Sequence, residues 1–169
     1  VPALIDPGIF DKKPKLICNE SAEIIKLFNE LPSSFGNDKP NLYPNNLIEE
    51  IEHWHKLIHY KINNGVYKCG FAHTQIAYEK ASKELFEAIH LVEKSLDKKS
   101  PWLCGDHLTL ADIELFPTMI RWELVYQPLF NCSKEPIWTF PNIYNWRKKF
   151  LSLPGIKATC DSTSWRNDY

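Results

Sequence analysis

Glu20 and Ser21 stand where an amphipathic helix begins, and that placement gives two short polar side chains a specific chemistry. A helix N-terminus presents unpaired N–H groups and a partial positive charge, which favour a carboxylate ligand. Ser21 adds a hydroxyl donor, and Glu20 supplies an anion for an ammonium group. An α-amino acid head group requires both. The simpler reading makes Ser21 a helix cap and Glu20 a solvated first-turn acid. The residues upstream favour the ligand reading. Val1-Pro2 opens a short apolar strand whose unpaired backbone at Val1 suits pairing with an extended peptide.

The remaining candidate chemistry is weaker. His53, His55 and His59 fall on one helix, and His55 with His59 has the i, i+4 spacing of a metal pair. The segment lacks the Glu of H-E-x-x-H and a third ligand, so a solvated or partly packed histidine face is expected, with no metal. Lys68 reads as a surface lysine or as a cation for an oxyanion. The five cysteines (Cys18, Cys69, Cys104, Cys132 and Cys160) are an odd number, widely spaced and without C-x-x-C. Reduced thiols in a cytoplasm-like compartment are expected rather than a disulfide framework or a zinc ribbon.

Two strands and a helix must position the head-group site. Val1–Asp6 and Lys15–Cys18 read as strands, and the helix after Asn19 carries Ile24, Ile25 and Phe28 on one side. Turn residues then run from Pro32 to Asn41, with Pro44 following, which places a linker over residues 32–44. Beyond it the pattern is helical. Leu47, Ile51, Trp54, Ile58 and Ile62 repeat at three and four residues, and Asn63-Asn64-Gly65 reads as the stop. A longer helix spans about Thr74 to Leu96. Thr109 and Asp112 form a capping box before Ile113, Leu115 and Phe116, and Pro117 is expected to kink that helix. Pro141 suits the first turn of another helix, carrying Ile143, Trp146 and Phe150, which Pro154-Gly155 ends.

Composition bounds the function. At 169 residues the chain is one domain with a fragment of another, and 44% hydrophobic residues supply a sizeable core. A net charge of −1, with Lys and Glu interspersed, favours neither nucleic acid nor an anionic membrane. No apolar run approaches the ~18 residues that a spanning helix needs.

The strand, turn, strand, Glu-Ser, helix order resembles the second half of the thioredoxin-like domain of glutathione transferases, where the proline of this turn is cis. The segment Asn63-Asn64-Gly65-Val66-Tyr67-Lys68-Cys69-Gly70-Phe71-Ala72 is similar to a signature of the xi-class glutathione transferases, the glutathionyl-hydroquinone reductases. The two glycines read as positions of unusual backbone angle. The likeness continues through Leu108-Thr109, Ala111-Asp112-Ile113, Ile120-Arg121, Val125-Tyr126, Tyr144 and Leu153-Pro154-Gly155-Ile156. Gln127-Pro128-Leu129 and Trp165-Arg166-Asn167-Asp168 depart from the family pattern.

The resemblance implies a mainly α fold, in which an all-helical glutathione transferase C-terminal domain (45–169) follows a β-β-α remnant of a thioredoxin-like domain (1–31). It implies glutathione as co-substrate, its γ-glutamyl head held by the Val1 main chain, Glu20 and Ser21, with Pro2 shaping the turn. Tyr67, Tyr126 and Tyr169 would line an aromatic pocket for quinol-type conjugates. The family's nucleophile sits in a Cys-Pro-Trp-Ala context that none of the five cysteines has, so the catalytic thiol is expected upstream and the isolated fragment is expected to be inactive. The implied reaction releases hydroquinones from glutathionyl-hydroquinones in a cytoplasmic homodimer. Two other readings stay open: a conventional thiol or conjugating glutathione transferase, and a non-catalytic binding or assembly module.

Overall fold

A computed structural model of the chain describes residues 2–8, 13–31, 40–97 and 99–167. Strands β1 (Leu4–Asp6) and β2 (Lys15–Cys18) pair antiparallel, with Ile5 opposite Leu16 and Asp6 opposite Lys15. Helix α1 (Ser21–Glu30) follows after a two-residue gap. Ile24 is buried on it and Ile25 packs against the main core, whereas Phe28, expected on the same side, is 53% exposed. α1 meets the helical body at α5. The expected Val1 end of the first strand, most of the linker (32–39) and the Val1–Pro2 bond lie outside the described residues.

The helical body contains α2 (Ile48–Leu57), α3 (Asn64–Gly70), α4 (Gln75–Ser95), α5 (Leu110–Ile120), the short α6 (Gln127–Leu129), α7 (Pro141–Leu151) and α8 (Ser162–Asn167). Its core includes Trp122, Trp146, Phe86, Phe140 and Phe150, with Ile51, Ile58, Ile62 and Leu85 beside them. Phe116 and Phe150 stack at 4.0 Å between ring centroids. Among the described residues no helix is long and apolar enough to cross a membrane.

The expected stop at Asn63-Asn64-Gly65 does not occur. α2 runs on through a π-helical segment, Ile58–Asn63, directly into α3. Asn63 is used instead as a bolt: its Nδ2 donates to the Glu114 carbonyl (3.1 Å), and its Oδ1 accepts from Thr118 Oγ1 (2.6 Å). Pro117 lies between those two partners inside α5, where its missing N–H interrupts the helical ladder. Gly65 and Gly70 are also not left-handed; the described glycines with positive φ are Gly8, Gly105 and Gly155. Gly65 sits in close packing instead, since a Cβ there would lie 3.3 Å from Leu85 Cδ1.

The expected capping box at Thr109 is present. Asp112 extends it into a buried hub. Its Oδ1 accepts from Leu103 N (3.1 Å) and Trp146 Nε1 (2.9 Å), and its Oδ2 from Thr109 N (3.1 Å) and Thr109 Oγ1 (3.4 Å). Burial pushes the Asp112 carboxyl pKa up, while these donors oppose that shift by favouring the ionised form. Helix α7 is capped from outside: Glu93 of α4 accepts from the N–H groups of Asn142 and Ile143, both at 2.9 Å. A carboxylate there meets the positive end of the helix.

Replacing Asp112 tests the hub. Asp112→Ala leaves buried donors at Leu103 and Trp146 without an acceptor, at a cost of about 1–3 kcal/mol each. Urea unfolding should therefore show a loss of roughly 3 kcal/mol or more. A midpoint within error of wild type would deny the hub this weight.

Candidate functional site

The candidate head-group site lies at the β2–α1 junction. Glu20 occupies the N-cap position in extended conformation (φ −100°, ψ 118°), and Ser21 is the first helical residue. The first intrahelical bond runs from Ile24 N to Glu20 O (2.9 Å), which leaves the N–H groups of the first turn available. No side-chain cap is made at Glu20, and the Glu20 carboxylate and Ser21 hydroxyl have no hydrogen-bond partner among the described residues. The simple capping role for Ser21 is thus not the one it takes. Pro2 is exposed, and Val1 lies outside the described residues.

Ser21 also lines a cleft of ≈ 270 Å³ between α1 and the helical body, together with Ile25, His55, His59, Glu114 and Pro117. Here His55 Nδ1 meets Glu114 Oε2 at 2.7 Å, and the His55 and His59 rings lie 5.7 Å apart. The i, i+4 histidine pair therefore has a carboxylate neighbour that is 59 positions away from His55. No local pattern could have announced it. Among the described residues, no group of three or more His, Cys, Asp or Glu side chains is arranged to hold a metal ion.

A network across the junction holds α1 in place. Lys26 Nζ lies 2.8 Å from Glu52 Oε1, to which Tyr43 also donates its hydroxyl at 2.6 Å. Asn29 Oδ1 accepts from the N–H of Leu42 at 3.0 Å. The bonds from Lys26 and Tyr43 hold the Glu52 carboxyl below its usual range. Burial pulls the Lys26 ammonium down, but the bond and charge of Glu52 outweigh it and hold the group above the usual lysine value.

The aromatic residues converge elsewhere. Tyr67 on α3 and Tyr126, at the end of the π-helical segment Trp122–Tyr126, meet edge to face at 6.0 Å and 82°. Phe130 packs edge-on to Tyr67 (5.3 Å) and Tyr126 (5.6 Å), and Phe71 stacks on Tyr67 at 6.1 Å. Tyr126 is buried and Tyr67 half-buried. Gly70 is part of the same construction: a Cβ there would lie 2.3 Å from Phe130 Cδ1. Sequence reasoning missed Phe71 and Phe130, and the glycine beside Phe71 was the available signal. Tyr169 lies outside the described residues. Lys68 Nζ donates to the Tyr60 carbonyl at 3.3 Å. The cleft at Ser21 is not lined by Tyr67 or Tyr126.

Residues 53–154 match the family model described as the glutathione S-transferase C-terminal domain. Glutathionyl-hydroquinone reductase YqjG of Escherichia coli is 37% identical over 164 residues, covering 96% of this chain and 50% of that protein. The glutathione-bound structure of YqjG has a TM-score of 0.86, at 37% identity over 91% of this chain and 50% of that one. Glutathionyl-hydroquinone reductase PcpF of Sphingobium chlorophenolicum is 40% identical over 154 residues, covering 90% of this chain and 49% of that protein. The glutathione-S-transferase Xi of Phanerochaete chrysosporium matches with a TM-score of 0.83 and 38% identity, over 91% of this chain and 53% of that one. The chain spans about half the length of the curated relatives it matches. The xi-class resemblance read from the sequence and the mainly α fold are both borne out. With most of its helical body matched by the family model, the chain belongs to the glutathione S-transferase C-terminal domain family.

Proposed function

We propose that this chain supplies the γ-glutamyl anchor and most of the aromatic pocket of a glutathione-dependent reductase that releases hydroquinones from glutathionyl-hydroquinones. The observation that carries this reading is the edge-to-face contact of Tyr67 and Tyr126, far apart in sequence yet 6.0 Å apart in space. Relatives named as glutathionyl-hydroquinone reductases support it. So does the glutathione-bound state of the YqjG structure.

In this reading the first-turn N–H groups of α1 and the Ser21 hydroxyl take the γ-glutamyl carboxylate, Glu20 takes the ammonium group, and the Val1 main chain takes the extended peptide, with Pro2 shaping the turn. A thiolate supplied from outside these 169 residues attacks the glutathionyl sulfur. The ring carbon that bears the sulfur first takes up a proton, the carbon–sulfur bond then breaks with its electron pair passing through the ring to a quinol oxygen, and a second glutathione resolves the mixed disulfide. Charge builds on the quinol oxygens as that bond breaks, so a phenol donor from Tyr67 or Tyr126 acts more strongly in the transition state than in the ground state.

Ser21→Ala should weaken glutathione binding by about 1.5–3 kcal/mol, the worth of a hydrogen bond to a charged group. Calorimetry on the protein with its thiol-bearing segment present reads this directly, and unchanged affinity removes the anchor. In the same protein Tyr67→Phe should lower turnover of a glutathionyl-hydroquinone by ~10²-fold, the usual cost of losing one such donor, with glutathione affinity nearly intact. Equal turnover in the variant would return Tyr67 to a packing role. The reading also includes a homodimer, for which the exposed side chains of Phe71, Ile76, Leu129 and Tyr60 offer apolar surface. Light scattering at micromolar concentration should give twice the monomer mass, and a monomer rejects that assembly.

A further inference from the structure

Two of the five cysteines are neighbours in space although 63 positions separate them in sequence. Cys69, on α3, and Cys132, two residues after Phe130, stand close enough for each thiol to shift the titration of the other. Both are buried, at 2% and 0% exposure. Cys132 Sγ also lies 3.9 Å from the Val66 carbonyl, one turn before Cys69 on the same helix, and 3.6 Å from the Phe130 carbonyl. The Cys132 N–H donates to the Tyr126 carbonyl at 3.1 Å, so the segment that carries this thiol is fixed against α3.

Burial alone would make such thiols inert. Cys69 differs because it lines a cavity of ≈ 470 Å³, together with Gly70, Asn131 and Ser133. The cavity wall thus includes residues flanking both cysteines in the chain. The neighbouring Cys132 thiol holds the Cys69 thiol below its usual range against the opposing effect of burial, and Cys132 is pushed well up by Cys69 and by burial. Cys69 borders the cavity and Cys132 does not, which is the division of labour an attacking and a resolving cysteine need. Cys18 and Cys160 are half-buried, and Cys104 is paired with Thr109 Oγ1 at 3.5 Å.

We propose that Cys69 and Cys132 form an oxidation site at which hydrogen peroxide closes an intrachain disulfide between α3 and the segment after α6. Cys69 Sγ, as thiolate, attacks one peroxide oxygen. The O–O bond breaks, the departing hydroxide takes a proton to become water, and the sulfur is oxidised to sulfenic acid while the peroxide is reduced. Cys132 Sγ then attacks Cys69 Sγ. Its proton leaves with the sulfenic hydroxide as a second water, and the sulfur–sulfur bond forms at ~2.05 Å. The bond would tie together the two chain segments that carry Tyr67 and Phe130. The inference stands apart from the proposed quinol chemistry, since it uses neither Ser21 nor a glutathione ligand.

The test treats the reduced full chain with hydrogen peroxide and then determines intact mass, titratable thiols and a non-reducing tryptic map. The expected product is lighter by two hydrogens, has two fewer titratable thiols, and links the peptide containing Cys69 to the one containing Cys132. An unchanged mass, or a link that joins other cysteines, overturns the proposal. In Cys132→Ser the sulfenic acid at Cys69 should persist and be captured by a 1,3-dione reagent, with no loss of two hydrogens. Formation of the same disulfide-level product in that variant also overturns it. The wild-type peptide map decides the matter by itself if the variant does not fold.

Discussion

A buried carboxylate holds the helical body in register. Asp112 is fully buried, and an ionised group in that position is costly unless donors surround it. Four donors do so, and they come from three separate parts of the chain: Leu103 in the loop before α5, Thr109 at the N-cap, and Trp146 on α7. Their convergence fixes three relations at once. The loop bridged at Trp102–Gly105 and Cys104–His107 is folded back onto α5. The start of α5 is set, and α7 is held against it at Trp146, where Phe116 and Phe150 also pack. Hydrophobic contact alone does not choose a rotational setting for these helices, because apolar attraction is not directional. The hydrogen bonds to Asp112 do.

From α5 the constraint passes to the aromatic residues through two widened helical segments. Ile58–Asn63 precedes Tyr67, and Trp122–Tyr126 contains Tyr126. Each residue of an α-helix advances by about 100°, so a residue accommodated in a wider turn moves every later side chain to a different face. The two segments therefore help to set which way Tyr67 and Tyr126 point. Asn63 joins the first widened segment to α5 around Pro117, the place where the ladder of α5 lacks a donor. Phe130 then wedges against both tyrosines, and Gly70 leaves it the room.

What the sequence made legible was local. β2 was read with its observed bounds, α4 to within a residue at each end, and the Thr109–Asp112 box correctly, because strand alternation, helical periodicity and capping act over a few residues. The misreadings share one cause. Asn63-Asn64-Gly65 carries the residues of a helix stop, but its asparagine serves a helix 51 or more positions away and its glycine accommodates Leu85. Glu93 caps α7 across 49 and 50 positions, and Glu114 reaches His55 across 59. Such pairings leave no mark on a window of a dozen residues. The meeting of Tyr67 with Tyr126 was legible only through family resemblance, since neither spacing nor composition distinguishes them from other core tyrosines. Cys69 and Cys132 carried no signal at all, because a pair of widely spaced cysteines becomes a dithiol only when the fold brings it together.

The α1 junction shows how the helix of the candidate head-group site is tied to this framework. Glu52 belongs to α2, Lys26 to α1 and Tyr43 to the connection between them, so one carboxylate restrains three segments. A carboxyl whose pKa is depressed by folding contributes stability above its unfolded value, and that contribution fades as pH falls through the folded value. A lysine whose pKa is raised contributes below its unfolded value, and that contribution is lost only as pH rises through the raised one. The two windows overlap across the whole neutral range, so the junction is insensitive to modest changes of pH. Exposed ion pairs add little stability, and this one is only partly shielded from water. Its consequence is positional: it fixes the helix whose first turn presents Glu20 and Ser21, while the cleft beneath Ser21 is left to His55, His59 and Glu114.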